Sequence, residues 1–304
     1  VTTMRTPEAE VHLDAALVAA LIAEQHPDLA EHAVGARVDG WDNATFRLGE
    51  QFAVRLPRRA IGADISAVEL DWLPQMRRDW TFPAPVPVRI GQPGCGYPWR
   101  WSVVPWLNGA RAFDERLTDA GARDLGAALA QVHRLAPTGA PLNVYRSGTL
   151  PEVAEVFDAR VTALVDAGTF AARDADALRG LFEAGAATED TPLTWTHLDL
   201  HGGNVLTING RLAGILDWGD AAAGDPATDL GQAWTLVGAD HADALLEAYG
   251  TAEGTLRVGA GSPGRMRVLA RAAAYAVTLA SIEDEPYRTE GLRAVGELVV
   301  AAQA

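Results

Sequence analysis

The 304-residue sequence contains no lysine; all 25 of its basic residues are arginine. A phosphate-binding loop of the G-x-x-x-x-G-K-[ST] type is therefore excluded, and any side-chain cation that grips a phosphate must be arginine. Cysteine is nearly absent too. Cys95 stands alone in the turn-like GQPGCGYP, which rules out an internal disulfide or a cysteine-based metal cluster and leaves a bystander thiol. No uninterrupted apolar run approaches the roughly 18 residues that cross a bilayer. The apolar stretch 11–23 follows acids rather than bases and includes His12 and Asp14, so it does not read as a signal peptide. A cytoplasmic protein without membrane contact is expected. Positive charge is in deficit: the net charge is −15 and the pI near 4.8. A nucleic-acid backbone would be repelled, whereas cationic small molecules would be attracted.

The sequence is 48% hydrophobic and 21% charged, enough for a large core in one large domain or two lobes. Residues 11–23 read as an amphipathic helix. In VDGWDNATFRLGEQFAVRLPRR, two alternating runs, Phe46-Leu48 and Phe52-Val54-Leu56, flank the turn Gly49-Glu50 and predict a hairpin that Pro57 ends. Helical spacing over 64–79 puts Ile65, Trp72, Leu73 and Met76 on one face. Glu69 falls on that same face, where a carboxylate is costly unless paired. Residues 81–98 read as loop, Ser102 to Leu107 as a buried strand stopped by Asn108-Gly109, and the remainder as mostly helical. A boundary is placed there, giving units 1–107 and 108–304.

The densest chemistry lies in HLDLHGGNVL, His197 to Leu206. His197, Asp199 and His201 have the alternation of a zinc site; Asp199 and Asn204 have the make-up of a phosphotransferase. In NVLTINGRLAGILDW, Asn209-Gly210 is a hairpin turn. With a two-residue loop, Ile208 opposes Arg211 and, counting back, Asn204 opposes Ile215. Asp217 then lies diagonal to Asn204, roughly 7–8 Å away, and two oxygen-bearing side chains there can share a cation such as Mg²⁺. Further on, Asp225 before Pro226 predicts a helix cap that also braces the loop. Asp220 and Asp229 read as solvated or capping, and His133 as the end of a helix.

HLDLHGGNVL followed by ILDWGDAAAGDPATDL resembles the aminoglycoside phosphotransferase family, small-molecule relatives of the protein kinases. FAVR (Phe52 to Arg55) is similar to the kinase strand V-A-I-K, and VVPWLNG to the hinge; the resemblance covers roughly 35–235. It implies an α+β, two-lobed kinase-like fold, with a small antiparallel-sheet lobe that binds nucleotide and a larger helical lobe for catalysis and the acceptor. The roles it implies follow the motifs. Asp199 orients the attacking hydroxyl and accepts its proton; Asn204 and Asp217 hold Mg²⁺. Arg55 contacts the phosphates of ATP or GTP and pairs with Glu69, Ala53 faces the purine, and the hinge offers the Pro105 carbonyl and the Leu107 N–H. Gly40, Asn43 and Ala44 cover the phosphates. Arg55 stands where lysine is usual, GWDNATF has one glycine instead of three, and Leu198 replaces a glycine.

The expected activity is phosphorylation of a hydroxyl on an antibiotic, first an aminoglycoside, whose amines Glu283, Asp284 and Glu285 would receive. A macrolide is the alternative, since RLPRR resembles macrolide phosphotransferases with a more apolar pocket. A homoserine- or choline-type metabolite is a further acceptor. A zinc hydrolase and a nucleotide-binding module without catalysis are the competing classes.

Overall fold

The computed structural model describes residues 7–250 and 256–303. Helix α1 (Ala15–Gln25) starts at Asp14, whose carboxylate accepts from the Leu17 N–H. It precedes β1 (Val34–Asp39), β2 (Asn43–Leu48) and β3 (Phe52–Pro57). The expected hairpin is present, with Leu48 opposite Phe52 and Gly49 at φ +57° in the turn. Helix α2 (Ala60–Asp71) and the short α3 (Leu73–Met76) follow, then β4 (Arg89–Gly91) and β5 (Trp101–Pro105). These strands form one antiparallel sheet in the order β1-β2-β3-β5-β4. Val18, Leu21 and Ile22 of α1 pack on Phe46, Leu48, Trp101 and Val103 to form its core.

The continuous helix expected over 64–79 begins earlier and breaks at Trp72. Pro74, in the first turn of α3, has no N–H to continue the ladder. The buried face of α2 is Gly62, Ser66, Glu69 and Leu70, so Glu69 does face inward.

After β5 the chain passes through β6 (Ala110–Arg111) into α4 (Asp119–Val132), α5 (Leu150–Asp166) and α6 (Ala172–Ala186). Three short strand elements follow: β7 (Thr194–Thr196) and the hairpin β8 (Val205–Ile208) and β9 (Arg211–Ile215). Then come β10 (Ala222–Gly224) and helices α7 (Pro226–Val237), α8 (Ala239–Gly250), α9 (Pro263–Ala280) and α10 (Tyr287–Ala301). Helix α9 lies at the centre of a second core with α5, α6, α7 and α10. A third core surrounds α4 and also takes in Leu73, Met76, Trp80 and Val86 from the chain before β5. Trp80 packs against Trp218 with the rings tilted and their centroids 4.6 Å apart, and Trp72 lies 5.4 Å from Trp195. The α2–α3 segment is thus packed onto the later part of the chain, directly behind the β9 terminus.

The β8–β9 register differs from the one counted from the turn. Ile208 opposes Arg211 as expected, but an irregularity between Leu206 and Thr207 puts Leu206 opposite Gly214 and Val205 opposite Ile215. The chain has one more residue on β9 than a regular ladder allows, a bulge. Gly214 sits against Leu107, where a β-carbon would lie 2.8 Å from Leu107 Cδ1. Asn204 accordingly pairs with Leu216, whose N–H donates to the Asn204 carbonyl at 2.7 Å, and not with Ile215. Among the described residues, no helix is long and apolar enough to cross a membrane.

Candidate active site

The segment between β7 and β8 is suspended by its backbone from α7. Asp229, fully buried, accepts from the N–H groups of His197 at 2.6 Å and Leu198 at 2.8 Å, and bonds the His133 ring at 3.1 Å. Gln232, one turn on, accepts from the Leu200 N–H and donates to the Leu198 carbonyl, both at 2.9 Å. Asp229 is therefore the brace of this loop, correcting its reading as solvated or a cap. Asp225 does cap α7, accepting from the Ala227 N–H, but it pairs with Arg267 and Arg271 of α9 instead of holding the loop. Burial works against its charge, and the two guanidiniums hold its carboxyl below the ordinary value.

Leu198 adopts φ +68° and is fully buried. The left-handed conformation accounts for the glycine usual at this point; here a leucine accepts the steric cost and inserts its side chain into the interior.

Asp199 follows, aimed into a cleft of about 760 Å³ that Asn204, Asp217, Asp220 and His201 also line. Asn204 donates to the Asp199 carbonyl at 2.9 Å and its carboxylate at 3.3 Å. This leaves the amide oxygen as the atom a cation would take. Burial disfavours ionisation of Asp199, but the His201 hydrogen bond and the charges of Arg146 and the histidines outweigh it and hold the carboxyl well below the usual range. His197 has both ring nitrogens engaged, Nδ1 by the Asp199 N–H and Nε2 by the Leu216 carbonyl. His201 Nδ1 accepts from the Gly203 N–H. The His197 ring, with both nitrogens spent, cannot complete a zinc site with Asp199 and His201, and among the described residues no three His, Cys, Asp or Glu side chains gather as a metal site. Asn204 and Asp217 instead offer an oxygen-only donor pair, the set a hard divalent cation prefers.

Arg55 lies on β3 opposite Ser102 of β5. Its Nη1 donates to Glu69 Oε1 at 2.8 Å, and its Nη2 is 3.6 Å from Asp217 Oδ1. The same Glu69 oxygen accepts from the Trp218 N–H at 2.9 Å. The cost of a carboxylate on the apolar face of α2 is thus offset by an ion pair and a backbone bond, and these tie β3, α2 and the β9 terminus together. Burial works against the Arg55 charge, yet Glu69 and Asp217 hold the guanidinium above its ordinary value.

The other expected residues are distributed differently. Ala53 is buried opposite Val104, and Pro105 opposes Phe52 at the end of β5. Leu107 lies on the β8–β9 hairpin at Gly214. Of the β1–β2 turn, Gly40 lines the cleft, with Trp41 and Asp42, which sequence reasoning missed. Asn43 is bonded by the Ser66 hydroxyl, and Ala44 is fully buried with Phe46 and Leu48 on the core face of β2, so neither lines the cleft. The turn is held from outside: Arg58 donates to the Gly40 carbonyl, and Arg59 pairs with Asp42 at 2.9 Å. Glu283, Asp284 and Glu285 are exposed between α9 and α10 and do not line the cleft, although Ile282 and Tyr287 on either side do.

A five-stranded antiparallel sheet with a paired strand arginine, beside a helical unit with an Asp–Asn loop and a following Asp, defines a kinase-like phosphotransferase. The chain belongs to the phosphotransferase enzyme family (APH), whose model matches residues 35–269. It is similar in fold to the GDP complex of wild-type aminoglycoside 2'-phosphotransferase-IIIa, with TM-score 0.63 and 20% identity over 95% of this chain and 99% of that one. It is likewise similar to macrolide 2'-phosphotransferase MphH from Brachybacterium faecium, with TM-score 0.58 and 21% identity over 93% and 98% of the two chains. ADP-bound aminoglycoside phosphotransferase APH(2'')-Ib gives a TM-score of 0.57 and 18% identity over 94% and 97%. No curated protein matches the sequence.

Proposed function

We propose that the protein transfers the γ-phosphoryl group of ATP or GTP to a hydroxyl of a bulky, antibiotic-type small molecule, with a macrolide-like acceptor favoured over an aminoglycoside. The observation that carries this reading is the wall facing Asp199. It is lined by Val153, Val156 and Phe157 of α5, by Ala274, Tyr275, Thr278 and Leu279 of α9, and by Ile282, so apolar groups predominate over the two hydroxyls. The carboxylate on that wall, Glu152, is spent on the N-terminus of α5, where it accepts from the Thr149 N–H and hydroxyl. Arg160 and Arg271 also line it. Such a surface suits an apolar ring better than several ammonium groups, which need free carboxylates.

In this reading residues 1–107 hold the nucleotide, and 108–304 supply the catalytic loop and the acceptor wall. Asp199 accepts a hydrogen bond from the acceptor hydroxyl and takes its proton late. A carboxylate held so far into its ionised form is a weak base, and its value lies in orienting the oxygen for in-line attack. Arg55, kept in place by Glu69, reaches the donor phosphates. With its Nη1 held by Glu69, Arg55 would offer the phosphates its remaining planar N–H groups where lysine would offer a point charge. Asn204 and Asp217 would hold Mg²⁺, which would supply charge neutralisation to the donor phosphates. Support for two donors is indirect: GDP and ADP occupy the named complexes of similar fold.

The test is incubation with Mg²⁺, ATP or GTP, and either erythromycin or kanamycin, read by mass spectrometry. Addition of one phosphoryl group to erythromycin is expected. Modification of kanamycin alone would reverse the acceptor preference, and nucleotide binding without any product would favour a non-catalytic module.

A further inference from the structure

Residues 143–147 cross the mouth of the cleft between α4 and α5, and their side chains divide sharply. Val144 and Tyr145 are 85% and 90% exposed. The residues flanking Arg146 are fastened. Asn143 Nδ2 donates to the Asp220 carboxylate at 2.7 Å, and the Asn143 N–H is accepted by the Ser147 hydroxyl. That hydroxyl in turn donates to the Ala223 carbonyl at 2.9 Å. Both anchors reach the segment just after Asp217, so the loop is pinned to the same stretch of chain that carries the proposed cation ligand.

Arg146 is what these anchors deliver. Its Nη1 donates to the Leu198 carbonyl at 3.1 Å and to the Asp199 carboxylate, and its Nη2 lies 3.3 Å from Asp220 Oδ2. One planar fork thus fixes three oxygens from two chain segments. Asn204 and His201 are on the other Asp199 oxygen, at 3.3 and 3.6 Å. A carboxylate with a guanidinium on one oxygen and an amide and imidazole on the other has its rotation set, while its remaining lone pairs stay open to a hydroxyl donor. Leu198 is the point of greatest backbone strain in this loop, and its carbonyl is bonded from both sides, by Arg146 and by Gln232.

We propose that Arg146 is a positioning residue for phosphoryl transfer, bridging Leu198, Asp199 and Asp220 so that the Asp199 carboxylate points at the acceptor hydroxyl. The inference rests on the reading of Asp199 given above. Arg146 and its neighbour Tyr145 both line the cleft that holds Asp199.

The test compares Arg146→Ala, Arg146→Lys, Asn143→Ala and Asp199→Asn in the full-length protein. Probes are erythromycin, kanamycin and water as acceptors, with ADP titration and thermal melting as controls. Arg146→Ala is expected to lower kcat about 10- to 100-fold, the scale of a misoriented reacting group, with ADP affinity and melting unchanged. Methylguanidinium should restore part of that loss, and Asn143→Ala should show a smaller loss in the same direction. Lysine keeps the charge without the fork and is expected to recover less than methylguanidinium does. A kcat within twofold of wild type in Arg146→Ala would overturn the proposal. So would a loss that tracks melting and ADP affinity and resists methylguanidinium. Turnover that survives Asp199→Asn, or a wild-type protein inert toward all three acceptors, would instead remove the functional reading itself.

Discussion

Replacing Glu69 by alanine strands two buried donors at once. The carboxylate side chain is 5% exposed and the Arg55 guanidinium 12%. One oxygen serves Arg55 at 2.8 Å and the Trp218 N–H at 2.9 Å. Breaking a buried ion pair from one side costs about 3–5 kcal/mol, and an unsatisfied buried N–H about 1–3 kcal/mol. These overlap, because the same oxygen answers both donors, and Asp217 remains 3.6 Å from Arg55 to offset part of the loss. A net cost of about 3 kcal/mol is expected, which lowers Tm by roughly 6–12 °C for a domain of this size. Arg55→Met alone leaves the carboxylate buried without its partner. The double variant removes both charges and should be more stable than the summed singles by at least about 1 kcal/mol. Urea and thermal unfolding of the four proteins give the cycle, and nucleotide titration runs beside it. Additive effects, or a Glu69→Ala protein as stable as wild type with full nucleotide affinity, would refute the claim that this pair joins β3 to the β9 terminus.

At Leu198 a glycine relieves the left-handed backbone, about 1 kcal/mol or more, whereas alanine loses the side chain and keeps the strain. Leu198→Ala should therefore unfold at lower denaturant than Leu198→Gly, both below wild type because a buried leucine is lost. Glu290 on α10 is buried, with one carboxylate oxygen unpartnered. Burial pushes its carboxyl up to about 7 against the pull of Arg293, His201 and Arg116. Since the folded form holds that proton longer than the unfolded chain, stability falls as pH rises from about 4.5 through 7, by on the order of 3 kcal/mol. Glu290→Gln should flatten that slope and melt higher than wild type at pH 8. Val153→Asp, on the α5 wall, should raise KM for erythromycin and leave the nucleotide KM unchanged in steady-state kinetics.

The antiparallel hairpin, the hinge strand, the end of α4 and the start of α7 were legible because turn residues, alternation and caps are local. Glu69 was legible for a different reason: a carboxylate on an apolar stripe demands a partner, and Arg55 supplies it. The grouping of Asn204 and Asp217 in one cleft was anticipated by a register that the structure corrects. A bulge near Gly214, which packs against Leu107, is a feature that counting from Asn209-Gly210 cannot contain. Asp229 and Gln232 escaped because their partners are backbone groups more than thirty residues earlier in sequence. Arg146 escaped because it lies in an irregular loop, where neither period nor motif marks it. Its significance comes only from where Asn143 and Ser147 are anchored. The burial of Ala44 follows from carrying the β2 alternation one step back from Phe46.

The most direct measurement is phosphoryl transfer by Asp199→Asn beside wild type, with ADP affinity determined in both. Asparagine preserves the shape but cannot take the proton, and its NH2 group replaces one of the two oxygens that accept from Arg146 and Asn204, so transfer is predicted to fall by at least about 100-fold while ADP binds as before. Transfer at the wild-type rate would contradict the assignment of Asp199 as the group that orients and deprotonates the acceptor.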